Sequence, residues 1–277
     1  MFVRLLSFGL VFIFAMISAA WPLPSFASDA SLQSSLQGAC EAAVACPLGT
    51  RSYHVLPPEG WDGRTVLPVL LHFHGWGRQG PLIMKHSRIA GATKTRGVLL
   101  VAPNGAGRTW NFWTRDTEDV AFADAVLKDL RKRFPIDASK IFVSGYSYGG
   151  AMAWRFACHS ETKIAAVFAV SGFAPLDNDT CERAVSFRHV HGTSDTVMRY
   201  PFGDDGDVEA AVAYWRQRNG CGDARPVKSA WQAVEILPFI RHRWSKCASG
   251  QTVTLDVHEK GHFIPRFWIA RQLDEVL

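Results

Sequence analysis

The sequence predicts an α/β domain in which a mostly parallel central sheet carries helices on both faces. Short apolar runs of strand character alternate along the chain with amphipathic segments of helical spacing. The 277 residues, 48% of them hydrophobic, suit one large core better than two small ones. A Gly-x-Ser-x-Gly turn, from Gly145 to Gly149, stands between a strand pattern and a helix pattern. Together these observations predict a single domain.

The elements follow in chain order. The first strand candidate, 51–56, ends at two prolines and is predicted to lie at an edge of the sheet. Several later candidates are continuous apolar runs, which is typical of strands buried on both faces. Residues 221–250 are the least regular and could form a hairpin insertion over the sheet edge. The predicted strands are 51–56, 66–73, 98–102, 141–144, 164–170, 187–191 and 252–258, and the predicted helices are 119–134, 207–219, 265–277 and one after the Gly-x-Ser-x-Gly turn.

The amino terminus has the pattern of a signal peptide. Residues 1–4 carry one positive charge, 5–21 are almost wholly apolar, and Ser25-Phe26-Ala27 places small residues where a signal peptidase reads them. We expect cleavage after Ala27, which leaves 28–277 as the catalytic domain, secreted or periplasmic and without membrane attachment. An uncleaved anchor is the alternative, because the apolar run approaches the length that spans a bilayer.

The charge of the chain does not indicate a nucleic-acid partner. The net charge of +5 is spread without a block of five or six like charges. Six cysteines are an even count in a chain predicted to be exported, so we expect disulfides, and spacing alone leaves fifteen pairings open. Because no C-x-x-C pair occurs and no histidine stands at zinc spacing from a cysteine, neither a metal nor a cofactor is predicted. The cysteines are 40, 46, 158, 181, 221 and 247.

Ser147 is the candidate nucleophile, because it is the serine of the Gly-x-Ser-x-Gly turn. At such a turn the serine takes a strained conformation between a strand and a helix, and the flanking glycines let the two backbones pass closely. The alternative is a glycine-rich turn without chemistry. The context, a β-branched and aromatic run before the turn and a helical apolar face after it, favours the nucleophile.

A nucleophilic serine needs a neutral imidazole as base and a carboxylate that holds the imidazole in the right tautomer. Asp195 follows the strand candidate 187–191, and His262 follows the strand candidate 252–258. Both therefore belong at the sheet edge that carries Ser147, in the chain order Ser, acid, His. Other histidines fall within strands and are predicted to be structural, namely His189, His191 and His258.

The remaining requirement is an oxyanion hole of backbone N–H groups. Tyr148, directly after the serine, is predicted to supply one. Trp76, in the glycine-containing loop after the strand candidate 66–73, is predicted to supply the other. Trp110 is a candidate substrate-binding residue, because aromatic faces suit sugars and aryl acids, with a core position as the alternative.

With these pieces in place, the chain resembles the exported esterases that comprise polyhydroxybutyrate depolymerases, feruloyl esterases and acetylxylan esterases, within the α/β-hydrolase superfamily. The resemblance covers about 51–265. The chain departs from that group in the histidine loop, where a glycine-rich wall and its tryptophan are replaced by Glu259-Lys260-Gly261-His262-Phe263. The motifs that carry it are HFHGWG at 72–77, WNFW at 110–113, the run from 119 through PID at 135–137 into the turn, HGTSD at 191–195, NGC at 219–221 and Gly261-His262.

The resemblance implies an α/β-hydrolase fold and a serine esterase with Ser147 as nucleophile, Asp195 as acid and His262 as base. It also implies two disulfides, Cys158 with Cys181 and Cys221 with Cys247, which leaves Cys40 with Cys46. The substrate is predicted to be a small or oligomeric ester, and the oligomeric state stays open. A catalytically silent binding module of the same fold and a peptidase of the same fold are the alternatives.

Overall fold

The structure is a computed structural model that describes residues 42–114, 117–175, 181, 183–203, 206–223 and 225–277. The predicted signal peptide, 1–27, and Cys40 lie outside the described residues. No helix within the described ranges has both the length and the apolar character that crossing a membrane requires.

The strands are β1 (Cys46–Leu48), β2 (Arg51–Leu56), β3 (Leu67–Phe73), β4 (Leu99–Pro103), β5 (Ile136–Tyr146), β6 (Ala166–Val170), β7 (Ser186–Gly192), β8 (Phe202–Gly203), β9 (Gly206–Asp207), β10 (Val227–Val234), β11 (Leu237–Trp244) and β12 (Val253–His258). The helices are α1 (Gly80–Met84), α2 (Ala90–Lys94), α3 (Glu118–Arg133), α4 (Tyr148–His159), α5 (Val208–Arg218) and α6 (Trp268–Asp274), with a 3₁₀ turn at Ala106–Arg108.

Ten of the described strands form one sheet in the order β1-β2-β4-β3-β5-β6-β7-β12-β11-β10, and β8 and β9 pair separately. The six strands from β4 to β12 in this order run parallel, while the two outer strands at each end join antiparallel. The predicted fold class, a mostly parallel sheet between helices, is confirmed.

The core has two layers, one on each face of the sheet, and β3 illustrates the division. Val69, Leu71 and Phe73 pack into the layer that α3, α4 and α5 cover, whereas Leu70 packs into the layer that α1, α2 and α6 cover. Successive side chains of a strand point to opposite faces, so a strand covered on both faces must be apolar throughout. This explains the continuous apolar runs in the sequence.

Three predicted elements differ from the structure. Strand β2 is not an edge strand, because the three-residue β1 pairs with it through a tight turn at Gly49, whose φ is 60°. The segment 221–250 does not lie over the sheet edge, because the β10–β11 hairpin extends the sheet in register beside β12. The last helix begins at Trp268 rather than Pro265, since the left-handed Phe267 (φ 63°) interrupts the helical path.

A buried polar cluster joins the end of the sheet to the last helix. Asp256 on β12 is fully buried and accepts hydrogen bonds from Arg241 Nε at 2.8 Å and Nη2 at 2.7 Å. The indole N–H groups of Trp231 and Trp268 also donate to this carboxylate, at 3.0 and 2.7 Å. Because Trp268 opens α6, the cluster fixes that helix relative to β11 and β12. The loop that precedes α6 carries His262.

Two disulfides in the described part of the chain have the pairing that the resemblance implies, Cys158 with Cys181 and Cys221 with Cys247. The first ties the end of α4 to the segment before β7, and the second ties the end of α5 to the segment after β11. Cys46 is also disulfide-bonded. Disulfides of this number are typical of proteins that fold in an oxidising compartment.

Candidate active site

Ser147 lies at a sharp turn between β5 and α4 with φ 57° and ψ −124°, a conformation that L-residues rarely adopt. The turn depends on close backbone contacts. A Cβ at Gly145 would lie 1.9 Å from the carbonyl oxygen of Gly149, and a Cβ at Gly149 would lie 2.0 Å from that of Phe73. Only glycine fits at these two positions. The two glycines therefore let β5, α4 and β3 approach one another closely beneath Ser147.

Asp195 and His262 meet beside this turn, although 67 residues separate them in the chain. His262 Nδ1 donates to Asp195 Oδ2 at 2.7 Å. The other carboxylate oxygen, Oδ1, accepts the backbone N–H groups of Val197 and Met198, both at 2.9 Å. Burial opposes ionisation of Asp195, but the hydrogen bonds from His191, His262 and the Met198 N–H outweigh it and hold the pKa of this carboxyl well below its ordinary value. The acid is therefore ionised and can accept the Nδ1 proton of His262.

A second imidazole, His191, lies behind the acid. Its Nε2 is 2.7 Å from the carbonyl oxygen of Met198 and 3.3 Å from Asp195 Oδ2, and its Nδ1 is 3.1 Å from Nε2 of His189. Since both neighbours of His191 Nε2 are acceptors, that nitrogen carries the hydrogen, and Nδ1 accepts from His189. His191 thus clamps both ends of the loop that holds Asp195. From the sequence only a structural role is predicted for His191, and its position at the end of β7, four residues before the acid, is the signal that could have found its contact with Asp195.

Tyr146 supports the histidine from the other side. Its hydroxyl donates to the carbonyl oxygen of His262 at 3.1 Å, and the two rings lie 4.8 Å apart. Burial, and next the negative charge of Asp195, raise the pKa of Tyr146 to about 12, so the hydroxyl keeps its proton. The residue before the candidate nucleophile thereby positions the loop of the candidate base.

The loop after β3 borders the turn of Ser147. Its backbone is tied down through His74, whose Nδ1 donates to the Gly75 carbonyl oxygen at 2.9 Å and whose Nε2 accepts the Gly105 N–H at 3.0 Å. Burial lowers the pKa of His74 to about 4, so the ring is neutral, as this pair of bonds requires. The N–H of Trp76 bonds to no acceptor within the described residues. It remains available to a ligand.

A cleft of about 320 Å³, here called the nucleophile cleft, brings together Ser147, His262 and the two residues predicted to form the oxyanion hole, Trp76 and Tyr148. Asp195 lies behind His262 and does not line it. A volume near 300 Å³ is at the small end for ligand sites and suits a compact substituent. The other lining residues are Gly75, Arg78, Tyr146, Val197 and Met198.

Trp110 is placed differently from the expectation that it binds substrate. Only 2% of it is exposed, its indole N–H donates to the His74 carbonyl oxygen at 2.7 Å, and its ring packs edge-on to Phe73 at 5.1 Å. It does not line the nucleophile cleft. The hydrogen bond explains the difference: a buried indole needs an acceptor, and the bend of the chain at His74 supplies one. Trp110 therefore supports the loop of Trp76 from behind.

Other concave regions lack this combination of groups. A larger groove, of about 980 Å³, runs along α3 but contains none of Ser147, Asp195 and His262. Within the described ranges, no group of three or more His, Cys, Asp or Glu side chains is arranged to hold a metal ion. The nucleophile cleft itself offers a serine, a histidine oriented by a carboxylate, and backbone N–H donors.

The sheet order, the strained turn at Ser147 and the pairing of His262 with Asp195 are those of the α/β-hydrolase fold. The profile of the phospholipase/carboxylesterase family matches residues 117–210. Among solved structures, the acetyl xylan esterase from Aspergillus awamori superposes with a TM-score of 0.60 at 14% identity, covering 78% of this chain and 90% of that one. The Bacillus cereus carboxylesterase superposes with a TM-score of 0.55 at 14% identity, covering 83% and 96%.

In sequence, the chain is similar to feruloyl and acetylxylan esterases. Feruloyl esterase C of Emericella nidulans is 27% identical over 76% of this chain and 76% of its own length. A probable feruloyl esterase C of Aspergillus terreus is 29% identical over 66% and 68%. The bifunctional acetylxylan esterase/xylanase of Neocallimastix patriciarum is 25% identical over 76% of this chain, and the match spans 31% of that much longer protein.

Proposed function

We propose that this chain is an exported serine carboxylic ester hydrolase that acts through an acyl-enzyme, with Ser147 as nucleophile, His262 as base and Asp195 as acid. The observation that carries the proposal is the hydrogen bond of 2.7 Å between His262 Nδ1 and Asp195 Oδ2 beside a strained serine in the same cleft. The names of the sequence relatives support esters of feruloyl or acetyl type as substrates. The two disulfides support folding in an oxidising compartment.

In the proposed reaction, Ser147 Oγ attacks the ester carbonyl carbon and its proton passes to His262 Nε2. The N–H groups of Trp76 and Tyr148 stabilise the oxyanion that forms. The bond to the alcohol oxygen then breaks, and His262 returns the proton to the departing alcohol. Water, activated by His262, attacks the acyl-serine and releases the acid. Asp195 keeps its charge throughout, orients the imidazole and stabilises the imidazolium.

Short acyl groups fit this proposal best, because the nucleophile cleft holds about 320 Å³. We expect turnover of para-nitrophenyl acetate and butyrate, and a steep fall for acyl chains beyond about eight carbons. A preference for long-chain esters would contradict a short acyl site.

The test of the proposal is Ser147→Ala. This change should lower ester hydrolysis by several orders of magnitude, because no other group supplies the covalent step. A fluorophosphonate probe should label the unchanged protein at Ser147 and leave the variant unlabelled. Ser229→Ala, which removes an exposed hydroxyl on β10, is the matched control and should keep both activity and labelling. Hydrolysis by Ser147→Ala near the level of the unchanged protein would refute Ser147 as the nucleophile. It would favour the alternative that the domain is not catalytic and that the measured hydrolysis has another source.

A further inference from the structure

A second cleft of about 470 Å³ adjoins the nucleophile cleft, and we call it the side cleft. The two share Gly75, Arg78 and Tyr146 as common walls. The side cleft therefore lies directly beside the cleft that holds Ser147. The remaining lining residues of the side cleft are His72, Leu82, Ile83, Lys85, His86, Arg88, Phe263 and Ile264.

The charged groups of the side cleft are all basic. Arg78 and Lys85 are exposed, and neither side chain has an ion-pair or hydrogen-bond partner among the described residues. Arg88 is half-buried, donates to the Ile264 carbonyl oxygen and lies 5.6 Å from the centre of the Phe263 ring. None of the described residues that line the cleft is acidic. Three cations without a carboxylate among the lining residues create a positive potential in the side cleft, next to the cleft that holds Ser147.

Two imidazole nitrogens in the same wall have no hydrogen-bond partner. His72 Nε2 and His86 Nδ1 are both buried and unpaired, although buried polar atoms are normally satisfied. His72 is fully buried, and its Nδ1 lies 2.7 Å from the hydroxyl oxygen of Ser144. When Nδ1 accepts the hydroxyl hydrogen, Nε2 carries the ring hydrogen and can donate it. The wall therefore holds unused hydrogen-bonding groups in addition to its cations.

The position of the side cleft relates it to the leaving group rather than to the acyl group. In the proposed reaction, His262 returns its proton to the departing alcohol. Phe263 and Ile264, which follow His262 directly, line the side cleft, and Tyr146, which packs on the His262 ring, lines both clefts. The side cleft is thus lined by residues next to the base that protonates the alcohol in the proposed reaction.

We propose that the side cleft binds a carboxylate carried by the alcohol part of the substrate, with Arg78 and Lys85 as its cationic contacts. The substrate class is then an acyl ester of an acidic alcohol, such as a sugar acid or a hydroxybenzoate. This proposal rests on the proposed ester hydrolysis and specifies its substrate. The apolar side chains of Leu82 and Phe263 provide surface for the ring of such an alcohol.

The experiment compares two acetyl esters of the same shape. Para-acetoxybenzoate carries a carboxylate on its alcohol part, and para-acetoxybenzamide is its neutral counterpart. The measured quantity is the ratio of kcat/KM for the acid to that for the amide, divided by the ratio of their uncatalysed alkaline hydrolysis rates. We expect a ratio of about ten at low ionic strength, because charge-assisted hydrogen bonds are the strong ones. The ratio should approach one in about 1 M salt, where the screening length falls to about 3 Å.

Single-charge variants test whether the preference arises in the side cleft. Arg78→Gln and Lys85→Gln should each lower the ratio by about threefold or more. Lys128→Gln, which removes the same charge from an exposed position on α3, is the matched control and should leave it unchanged. A ratio near one in the unchanged protein, or one that neither cleft variant lowers, would overturn the proposal. A second substrate pair, mono-para-nitrophenyl glutarate and para-nitrophenyl valerate, carries the charge on the acyl side, and a larger preference there would overturn the assignment to the alcohol.

The failure of the subsite and the failure of the hydrolysis give different results. If neutral esters are hydrolysed without a preference for the acid, the subsite is wrong and the proposed function stands. If no ester is hydrolysed, the proposed function fails, and calorimetry with para-hydroxybenzoate decides the subsite. Binding that Arg78→Gln weakens while Lys128→Gln does not would support it. The absence of binding would overturn it.

Discussion

The two halves of the candidate active site are held in place by different physical means. The nucleophile region, formed by β3, β5 and α4, is fixed by apolar packing and by backbone contacts that admit only glycine at 145 and 149. The histidine region, formed by β7, β12 and α6, is fixed by buried charges and hydrogen bonds around Asp195 and Asp256. Steric exclusion thus shapes the turn of the strained serine, whereas electrostatic interactions orient the imidazole. The two regions should therefore fail under different perturbations.

The largest effect is expected from the acid itself. Asp195→Asn should lower turnover by about 10⁴-fold, because an amide can present its NH₂ group to His262 Nδ1 and so stabilise the wrong tautomer. The loop should survive, since the amide oxygen can still accept the N–H groups of Val197 and Met198. Steady-state kinetics and thermal unfolding measure the two quantities separately. Asp137→Asn, near the start of β5 and outside the nucleophile cleft, is the control, and equal losses in both variants would refute a specific role for Asp195.

The next effect separates core from wall in the nucleophile region. Trp110→Ala should lower the free energy of unfolding by about 3–5 kcal/mol, because it removes a buried ring and leaves the His74 carbonyl without its donor. Trp76→Ala, which changes a ring that is 70% exposed, should alter stability by less than about 0.5 kcal/mol and raise KM instead. Chemical denaturation and kinetics on both variants check this. If Trp76→Ala lowers the stability and Trp110→Ala raises KM instead, Trp110 lines the cleft and Trp76 belongs to the core.

The matching experiment in the histidine region compares a buried and an exposed ion pair. Asp256→Ala should lower the free energy of unfolding by about 3–5 kcal/mol, since it leaves Arg241 and two indole N–H groups buried without their acceptor. Asp274→Ala breaks the more exposed pair with Arg96 and should cost less than about 1 kcal/mol. If urea unfolding gives similar values for both, the cluster does not hold α6.

The most gradual effect is a dependence of stability on pH that both regions share. Burial lowers the pKa of His74 to about 4 and that of His258 to about 4, below the ordinary value of 6.5. Between about pH 6.5 and pH 4 these histidines bind protons in the unfolded chain but not in the folded chain. The free energy of unfolding should therefore fall as the pH drops through this range. Each histidine should contribute up to about 1.4 kcal/mol for each pH unit.

His74→Gln and His258→Gln should each reduce this slope, one in each region. Urea unfolding between about pH 4.5 and pH 7.5 measures it. A slope that neither variant changes would mean that these rings are not buried in neutral form.

The sequence was sufficient to predict that Ser147, Asp195 and His262 lie at one edge of the sheet, because each follows the end of a parallel strand and the ends of such strands meet there. The central strands were predictable because they are covered by helices on both faces, and burial on both faces requires a continuous apolar run. The five-residue helices α1 and α2 are too short for a periodic pattern, and most side chains of β10 are exposed, so its sequence has little strand signal. The two helices were missed, and for β10 the sequence indicated only that 221–250 could form a hairpin.

The details that decide how the site works depend on contacts between distant parts of the chain. The burial of Trp110 depends on the His74 carbonyl, 36 residues away, and the clamp of His191 on Met198 depends on how the acid loop folds back. The side cleft combines the segment 72–88 with Tyr146 and with the residues after His262. No local pattern indicates such combinations, because they arise only when the sheet has formed.

The glycine contacts beneath Ser147 have an evolutionary consequence. Gly150 and Gly172 also approach each other so closely that a Cβ on either would lie about 3 Å from the other's Cα, at 3.0 and 2.9 Å. A side chain at either position would force the neighbouring backbone to shift, so substitution there is costly whatever substrate the protein acts on. The walls of the side cleft are different, because Arg78 and Lys85 are exposed side chains with room to change. A lineage with this architecture can acquire new substrates by exchanging surface residues while the hydrolytic step is inherited intact.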